Sequence, residues 1–345
     1  MGGAALAADP RPGRCCPTDY RYRPEVLRAV APLRADVLWV VGGLYGNTEA
    51  LRALNAQIGA ETAERVVVVA NGDFHWFDAH LDAFGAIEAG VAGWHRLRGN
   101  VETELARADA DGAGVGCGCA YPEDVPDADV DRSNAILARL RATARRAGAA
   151  ASLGSLPMLA RAQVGEATVG IVHGDDRSLA GWRLAADRLA HSLADGLPAA
   201  LDAAAIDLLA SSHTCLPVAC TFEAPRGTGL RAVINNGAAG MANFAGSPWG
   251  VATRIARAGT RPPRGLRTLY RAPVAGAEVA AVAVEFDLAA WLRAFDAQWP
   301  AGSPAERSYR RRIVHGPDHR PEQAALGAFA SPRPESPTPA GASQR

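Results

Sequence analysis

The sequence contains no lysine, so all 36 of its basic side chains are arginines. This absence excludes every chemistry that needs a side-chain amine: Schiff-base catalysis, attachment of a pyridoxal cofactor, and the lysine of a phosphate-binding P-loop. A phosphate bound by this chain must be held by arginine, by backbone N–H groups or by a metal. The chain also lacks net charge, because 36 acidic groups balance the basic ones. It has no bulk attraction for nucleic acid or for an acidic membrane surface, and neither is expected as a partner. No stretch reaches the roughly 18 apolar residues that a membrane helix needs. Met1 to Arg14 shows no charged segment followed by an apolar one, so no signal peptide is expected and the expected location is cytoplasmic. Six cysteines are present (Cys15, Cys16, Cys117, Cys119, Cys215 and Cys220), but none forms the CxxC pair of a zinc ribbon. In a reducing compartment they are expected as thiols or ligands rather than disulfides.

What is present is a repeated alternation of buried strands and helices. Ala35 to Val41 is a short apolar run rich in β-branched residues that ends in Gly42-Gly43. Such a run reads as a strand, and Leu51, Leu54 and Ile58 at helical spacing predict a helix from Thr48. Arg65 to Ala70 predicts a second strand, ending at Asn71-Gly72-Asp73, and Leu81 to Val91 a second helix. Residues 108–131, rich in Asp, Gly and Ala, read as an insertion loop, and Ser133 to Ala147 as an amphipathic helix whose arginines form a solvated face. Two strands joined at Gly165-Glu166 are expected between Met158 and Asp175, then a helical pair from Leu179 to Leu201. Further strands are expected at Ile206 to Ala210, Leu230 to Asn235 and, as the last one, Glu278 to Phe286, followed by a helix from Ala289 to Trp299. The expected organisation is an arm (1–34), one main domain (35–290), a helical extension (291–328) and a Pro/Ser-rich disordered tail (329–345).

Several of these segments end in a polar signature. Asp73, Asn100, His173 and His213 are each read at the end of a strand. Strand C-termini of an α/β sheet converge on one edge, where the loops carry function, so four metal-competent side chains at four such ends form a constellation.

The order of these signatures resembles the calcineurin-like metallophosphoesterases, especially their small bacterial branch. That family runs D-x-H-G-N, G-D, G-N-H-[DE], H-G, G-H-T-H and N-[PN]-G-S. Here the same order reads Gly43-Leu44-Tyr45-Gly46-Asn47, Gly72-Asp73, Gly99-Asn100-Val101-Glu102, His173-Gly174, Ser212-His213-Thr214-Cys215 and Asn235-Asn236-Gly237. The resemblance covers roughly residues 35–290 and implies a four-layer α/β/β/α sandwich, two mixed sheets flanked by helices, with the site at the strand ends. It implies a metal-dependent phosphoester hydrolase acting on a small phosphoester or nucleotide. The alternative is a catalytically inactive relative that binds a phosphorylated ligand or a protein partner.

The departures are concentrated. Of the family's two metals, the first would take ligands at positions that here read Gly43, Tyr45 and Cys215, besides the shared Asp73. The second would take Asp73, Asn100, His173 and His213, all present. One divalent ion is therefore expected, and a mixed nitrogen and oxygen donor set suits Mn, Fe or Zn. Asp73, Asn100 and His213 are the expected catalytic residues. The family's acid is replaced by Val101, and Glu102 is expected to orient rather than catalyse. Further candidates are His75, which shares a face with Asp73 if the strand continues, and Cys215, which with Cys117 and Cys119 would make a soft site. Tyr45 is a candidate hydroxyl donor to phosphate, and Arg177 a candidate phosphate-binding guanidinium.

Overall fold

The computed structural model describes residues 11–107, 115–224 and 229–330. Part of the expected insertion loop and nearly all of the expected tail lie outside them. The chain switches between two sheets. β1 (Leu33–Ala35), β5 (Leu159–Val164), β6 (Ala167–Val172), β7 (Leu208–Ser211), β8 (Val218–Glu223), β9 (Leu230–Asn235) and β13 (Ala325–Leu326) form one sheet, in the order β1-β5-β6-β7-β9-β8-β13. β2 (Val37–Val41), β3 (Val66–Asn71), β4 (His95–Leu97), β10 (Gly250–Arg257), β11 (Thr268–Val274) and β12 (Ala277–Val284) form the other, in the order β11-β12-β10-β2-β3-β4. Both sheets are mixed: β2, β3 and β4 run parallel, as do β6, β7 and β9, while β10 is antiparallel to β2 and β8 to β9.

The period of two in a strand sends alternate side chains to opposite faces. In β2, Leu38 and Val40 point to the other sheet and meet Val169, Ile171 and Leu208. Val37, Trp39 and Val41 point outward to the helices Thr48–Gly59 and Leu81–Val91, through Leu51, Leu54, Phe84 and Ile87. On the far side, Val172, Leu209 and Val233 pack against Leu197 and Leu201 of the helix Leu197–Ala204. Three apolar interfaces separate four layers, the α/β/β/α sandwich. Among the described residues no helix is long and apolar enough to cross a membrane.

Several expectations change. The helix expected from Ser133 begins earlier and spans Asp127–Arg146, because Pro126 and the acidic first turn of Asp127 and Asp129 start it inside the expected loop. The helical pair expected from Leu179 is two short helices, Leu189–Ala194 and Leu197–Ala204, preceded by turns that Asp175 ties down. β12 is not the last strand, since β13 follows it, and β8, β10 and β11 were not expected. β10 escaped notice because Arg254 interrupts its apolar pattern. Its guanidinium is buried against Glu61, with Nε to Oε1 at 2.7 Å, and the same oxygen accepts from Trp39 Nε1 at 3.0 Å. β11 carries Pro273, which is tolerated because the strand lies at a sheet edge. Phe329 and Ala330, assigned to the tail, are ordered: Phe329 packs edge-on to Tyr270, and Ala330 pairs with Arg271.

Candidate metal centre

The ends of β3, β6 and β7 lie at one edge of the sandwich and deliver Asp73, His173 and His213. Asn100 arrives at the start of the helix Asn100–Ala106 after β4. Glu102, in the first turn of that helix, accepts hydrogen bonds from the backbone N–H groups of Gly99 (2.9 Å), Asp73 (2.8 Å) and Phe74 (3.0 Å). These bonds hold Asp73 in a left-handed backbone conformation, φ 54°, which is rare outside glycine. Glu102 therefore orients the loop. Gly99 is required by close approach, since a Cβ there would sit 2.4 Å from Asp73 Oδ1.

Four side-chain atoms meet at this edge. His173 Nε2 lies 3.3 Å from Asp73 Oδ1, 3.2 Å from Asn100 Oδ1 and 3.2 Å from His213 Nδ1. The opposite ends of His173, His213 and Asn100 are pinned by the chain. His173 Nδ1 faces the carbonyl of Asn71 at 2.9 Å, and His213 Nε2 faces the carbonyl of Cys119 at 3.4 Å. Carbonyls only accept, so these outer nitrogens carry the protons and the inner ones present lone pairs. Asn100 Nδ2 donates to the Cys117 carbonyl at 2.9 Å and to Cys119 Sγ at 3.3 Å, which turns its oxygen inward. Four acceptors thus face one point, and acceptors cannot satisfy one another. A proton on His173 Nε2 answers only part of this demand, whereas a divalent cation answers all of it. This is the outer support that metal-ligating histidines usually show. Among the described residues, Asp73, His173 and His213 are the group of Asp, Glu, His or Cys whose ligand atoms lie within 4.8 Å of one another.

The electrostatics favour a charged Asp73 and a neutral His213. Burial opposes the charge on Asp73, but His173, His213 and the Val101 N–H outweigh it and hold the carboxyl below the usual carboxylate range. Burial also works against a charged His173, yet Asp73 raises it. His213 is pushed down to about 3 by burial and by its neighbour His173, so its imidazole is neutral and able to ligate.

The other half of the expected pair is closed. Gly43, at φ 65°, has the ring of Tyr45 where a side chain would start, 3.0 Å from an added Cβ to Cζ. Tyr45 Oη lies 2.7 Å from Cys215 Sγ, and burial raises both groups. Tyr45, Cys215, Asp73 and Asn100 line one cavity of about 40 Å³ together with Trp76, Val101, Cys119, Tyr121, Trp182, His213 and Tyr309. At about 10–15 Å³ per water this is room for about three waters, far below the roughly 300 Å³ of the smallest ligand pockets.

His75 does not join the group. Its Nδ1 is 2.6 Å from Asp78 and its Nε2 is 3.0 Å from Glu88, while its ring stacks on Phe84 at 3.8 Å. The chain turns at Asp73, so the shared strand face does not exist. Arg177 does not reach the cavity either: it is exposed and pairs with Asp176 at 3.3 Å. Cys117 and Cys119 form no three-ligand group with Cys215 among the described residues. Cys119 instead orders Asn100 and His213. Sequence reasoning missed Trp182, whose indole N–H donates to the Cys119 carbonyl at 2.8 Å and whose ring stands edge-on to His213 at 5.5 Å. It also missed Arg312, which donates to the carbonyls of Cys215 and Ala242 (3.2 Å to the latter) from a helix whose arginine run reads as a solvated face.

No protein-family model matches the chain, and no curated protein matches it in sequence. Solved structures do match. A hypothetical protein, PH1004, from Pyrococcus horikoshii OT3 is 15% identical, with 82% of this chain and 99% of that one covered at a TM-score of 0.55. A metallophosphoesterase from Sphaerobacter thermophilus is 18% identical, with 82% of this chain and 100% of that one covered at a TM-score of 0.47. At these identities the likeness is one of fold alone.

Proposed function

We propose that this chain is a metal-dependent phosphoester hydrolase that works with one divalent ion. Asp73, Asn100, His173 and His213 would hold it. The observation that carries this reading is the convergence of four acceptor atoms on one point, with the far sides of His173, His213 and Asn100 held by backbone carbonyls. Two imidazole nitrogens and two oxygens suit Mn, Fe or Zn. A bound ion of this kind lowers the pKa of water and polarises a phosphoryl oxygen.

The chain's own contribution is positioning and exclusion of water. Asp73 supplies the fixed negative charge and the neutral His213 a lone pair, while Trp182 and Tyr121 close the wall over His213. The size of the cavity restricts what enters to the reacting phosphoryl group of a small substrate. The test is turnover of p-nitrophenyl phosphate and bis-p-nitrophenyl phosphate with Mn, measured against His213→Ala. Turnover that the variant loses supports the hydrolase, and equal rates refute it.

A second reading has its own observation. No arginine is among the described residues lining the cavity, and the Tyr45–Cys215 pair fills its other half. A centre that binds metal but lacks the second cation fits a non-hydrolysing protein that holds a phosphorylated ligand or a partner. One bound metal per chain without turnover on either substrate favours it.

A further inference from the structure

Arg177 misses the metal cavity because it belongs to a different depression. Residues Tyr20 to Tyr22 of the N-terminal arm lie against the loop that follows His173. Tyr22 N donates to the Arg177 carbonyl at 3.0 Å, Leu179 N to the Tyr20 carbonyl at 3.0 Å, and Arg21 bridges antiparallel to Ser178. The Tyr22 hydroxyl donates to the Asp175 carbonyl at 2.6 Å. Asp175 fixes the loop from inside, accepting from the N–H groups of Arg177 (2.8 Å), Ser178 (3.0 Å) and Arg183 (3.1 Å). The result is a groove of about 570 Å³ on an anchored floor, within the roughly 300–1,000 Å³ of small-molecule sites.

Its walls carry the guanidinium groups of Arg21, Arg23 and Arg177, with Ser178 and Cys16 between them. Among the described residues the guanidinium groups of Arg21 and Arg23 have no hydrogen-bond or ion-pair partner. Arg177 pairs with Asp176 at 3.3 Å, a carboxylate shared with Arg183 at 2.9 Å, and adds to the field that lowers the pKa of Asp195. Glu25 is the one acidic residue of the wall. Positive charge is therefore in excess on this wall, three guanidinium groups against one carboxylate. Guanidinium forks match the paired oxygens of phosphate, and three of them exceed what a single carboxylate ligand can satisfy.

We infer that this groove binds the phosphate dianion of a small molecule, at a site separate from the metal centre. In a chain without lysine, arginine is the only side-chain cation that stays charged at all working pH values, and this groove concentrates three.

The test is calorimetric titration of the full-length protein with inorganic phosphate, in the presence of a chelator so that the metal centre contributes nothing. Saturable binding at one site is expected. Arg21→Ala and Arg23→Ala, at exposed positions that leave the fold intact by circular dichroism, should each weaken it about tenfold or more. Arg177→Ala should act the same way, whereas Arg293→Ala, on a remote exposed helix face, and His213→Ala should bind as the unaltered chain does. Binding that survives the first three substitutions, or that is lost only in His213→Ala, overturns the assignment. So does the absence of saturation, or competition by chloride as effective as that by phosphate, because either marks diffuse attraction rather than a site.

Discussion

Tyr45 Oη and Cys215 Sγ stand 2.7 Å apart, and both residues hold a left-handed backbone, φ 55° and 62°. With Asp73 at φ 54°, three strained non-glycine residues border one small cavity. Strain of this kind persists where surrounding contacts over-determine it, and it clusters at functional sites. Here the contacts are the ring packing of Tyr45 on Phe77, with centroids 5.8 Å apart, and the grip of Arg312 on the Cys215 carbonyl. The pair stands at two positions where the motif resemblance implies metal ligands.

Tyr45→Phe follows from that pair. The ring keeps its place beside Gly43 and only the hydroxyl contact disappears, at a cost of about 1 kcal/mol. Metal content per chain should not change, and thermal melting should shift by a few degrees at most. A variant that loses its metal would make Tyr45 a ligand instead of a plug.

Metal removal should destabilise the protein. An ion that binds only the folded state adds about 2.7 kcal/mol when its concentration is a hundred times its Kd. Chelation should therefore lower the melting temperature, and added Mn or Zn should restore it. His173→Ala and Asp73→Ala should abolish the response. Elemental analysis should give one ion per chain, and a response that persists in both variants would place the ion elsewhere.

The fold was legible where each segment obeyed one period. β2, β3 and β9 are apolar runs that end in asparagine or run into glycine, and the sequence marks their ends within a residue or two. β10 was illegible because its polar residue is neutralised from far away, by Glu61. The convergence of Asp73, Asn100, His173 and His213 was legible because each follows a strand, so residue type and position carried the same message. Arg177 and His75 misled for the opposite reason. Both lie within a few residues of a member of the converging group, but the backbone turns between them, and only coordinates show where each side chain leaves the chain. The closing aromatics Trp76, Trp182 and Tyr309 come from distant segments and carry no local signal.

The His75 cluster predicts a stability change with pH. Burial alone would lower the pKa of His75, but Asp78 and Glu88 outweigh it and raise it to about 9. In the unfolded chain an imidazole titrates near about 6.5. The folded value is the higher one, so the contribution is fully present below about 6.5 and is lost as pH rises through about 9. The denaturation midpoint should fall between pH of about 7 and about 10. His75→Phe should remove that part of the slope, yet it leaves Asp78 buried without a counter-charge, at a cost of about 3–5 kcal/mol at neutral pH. An unchanged slope in the variant would assign the pH dependence to another group.

Reopening the closed half is the most demanding prediction. Three substitutions, Gly43→Asp, Tyr45→His and Cys215→His, would replace the plug with a carboxylate and two imidazoles beside Asp73, the ligand set that the motif resemblance implies for a first metal. Gly43→Asp alone should fail, because the Tyr45 ring lies 3.0 Å from the new Cβ and the backbone sits at φ 65°. With Tyr45→His the ring retreats, and aspartate is among the residues that tolerate a left-handed conformation. The triple variant should then bind two ions per chain, and a paired ion would supply the second clamp on a phosphoryl group. Metal analysis reads the first outcome and p-nitrophenyl phosphate turnover the second. One ion in a folded triple variant would show that Phe77, Tyr309 and Arg312 have closed that half beyond what three ligands can reverse.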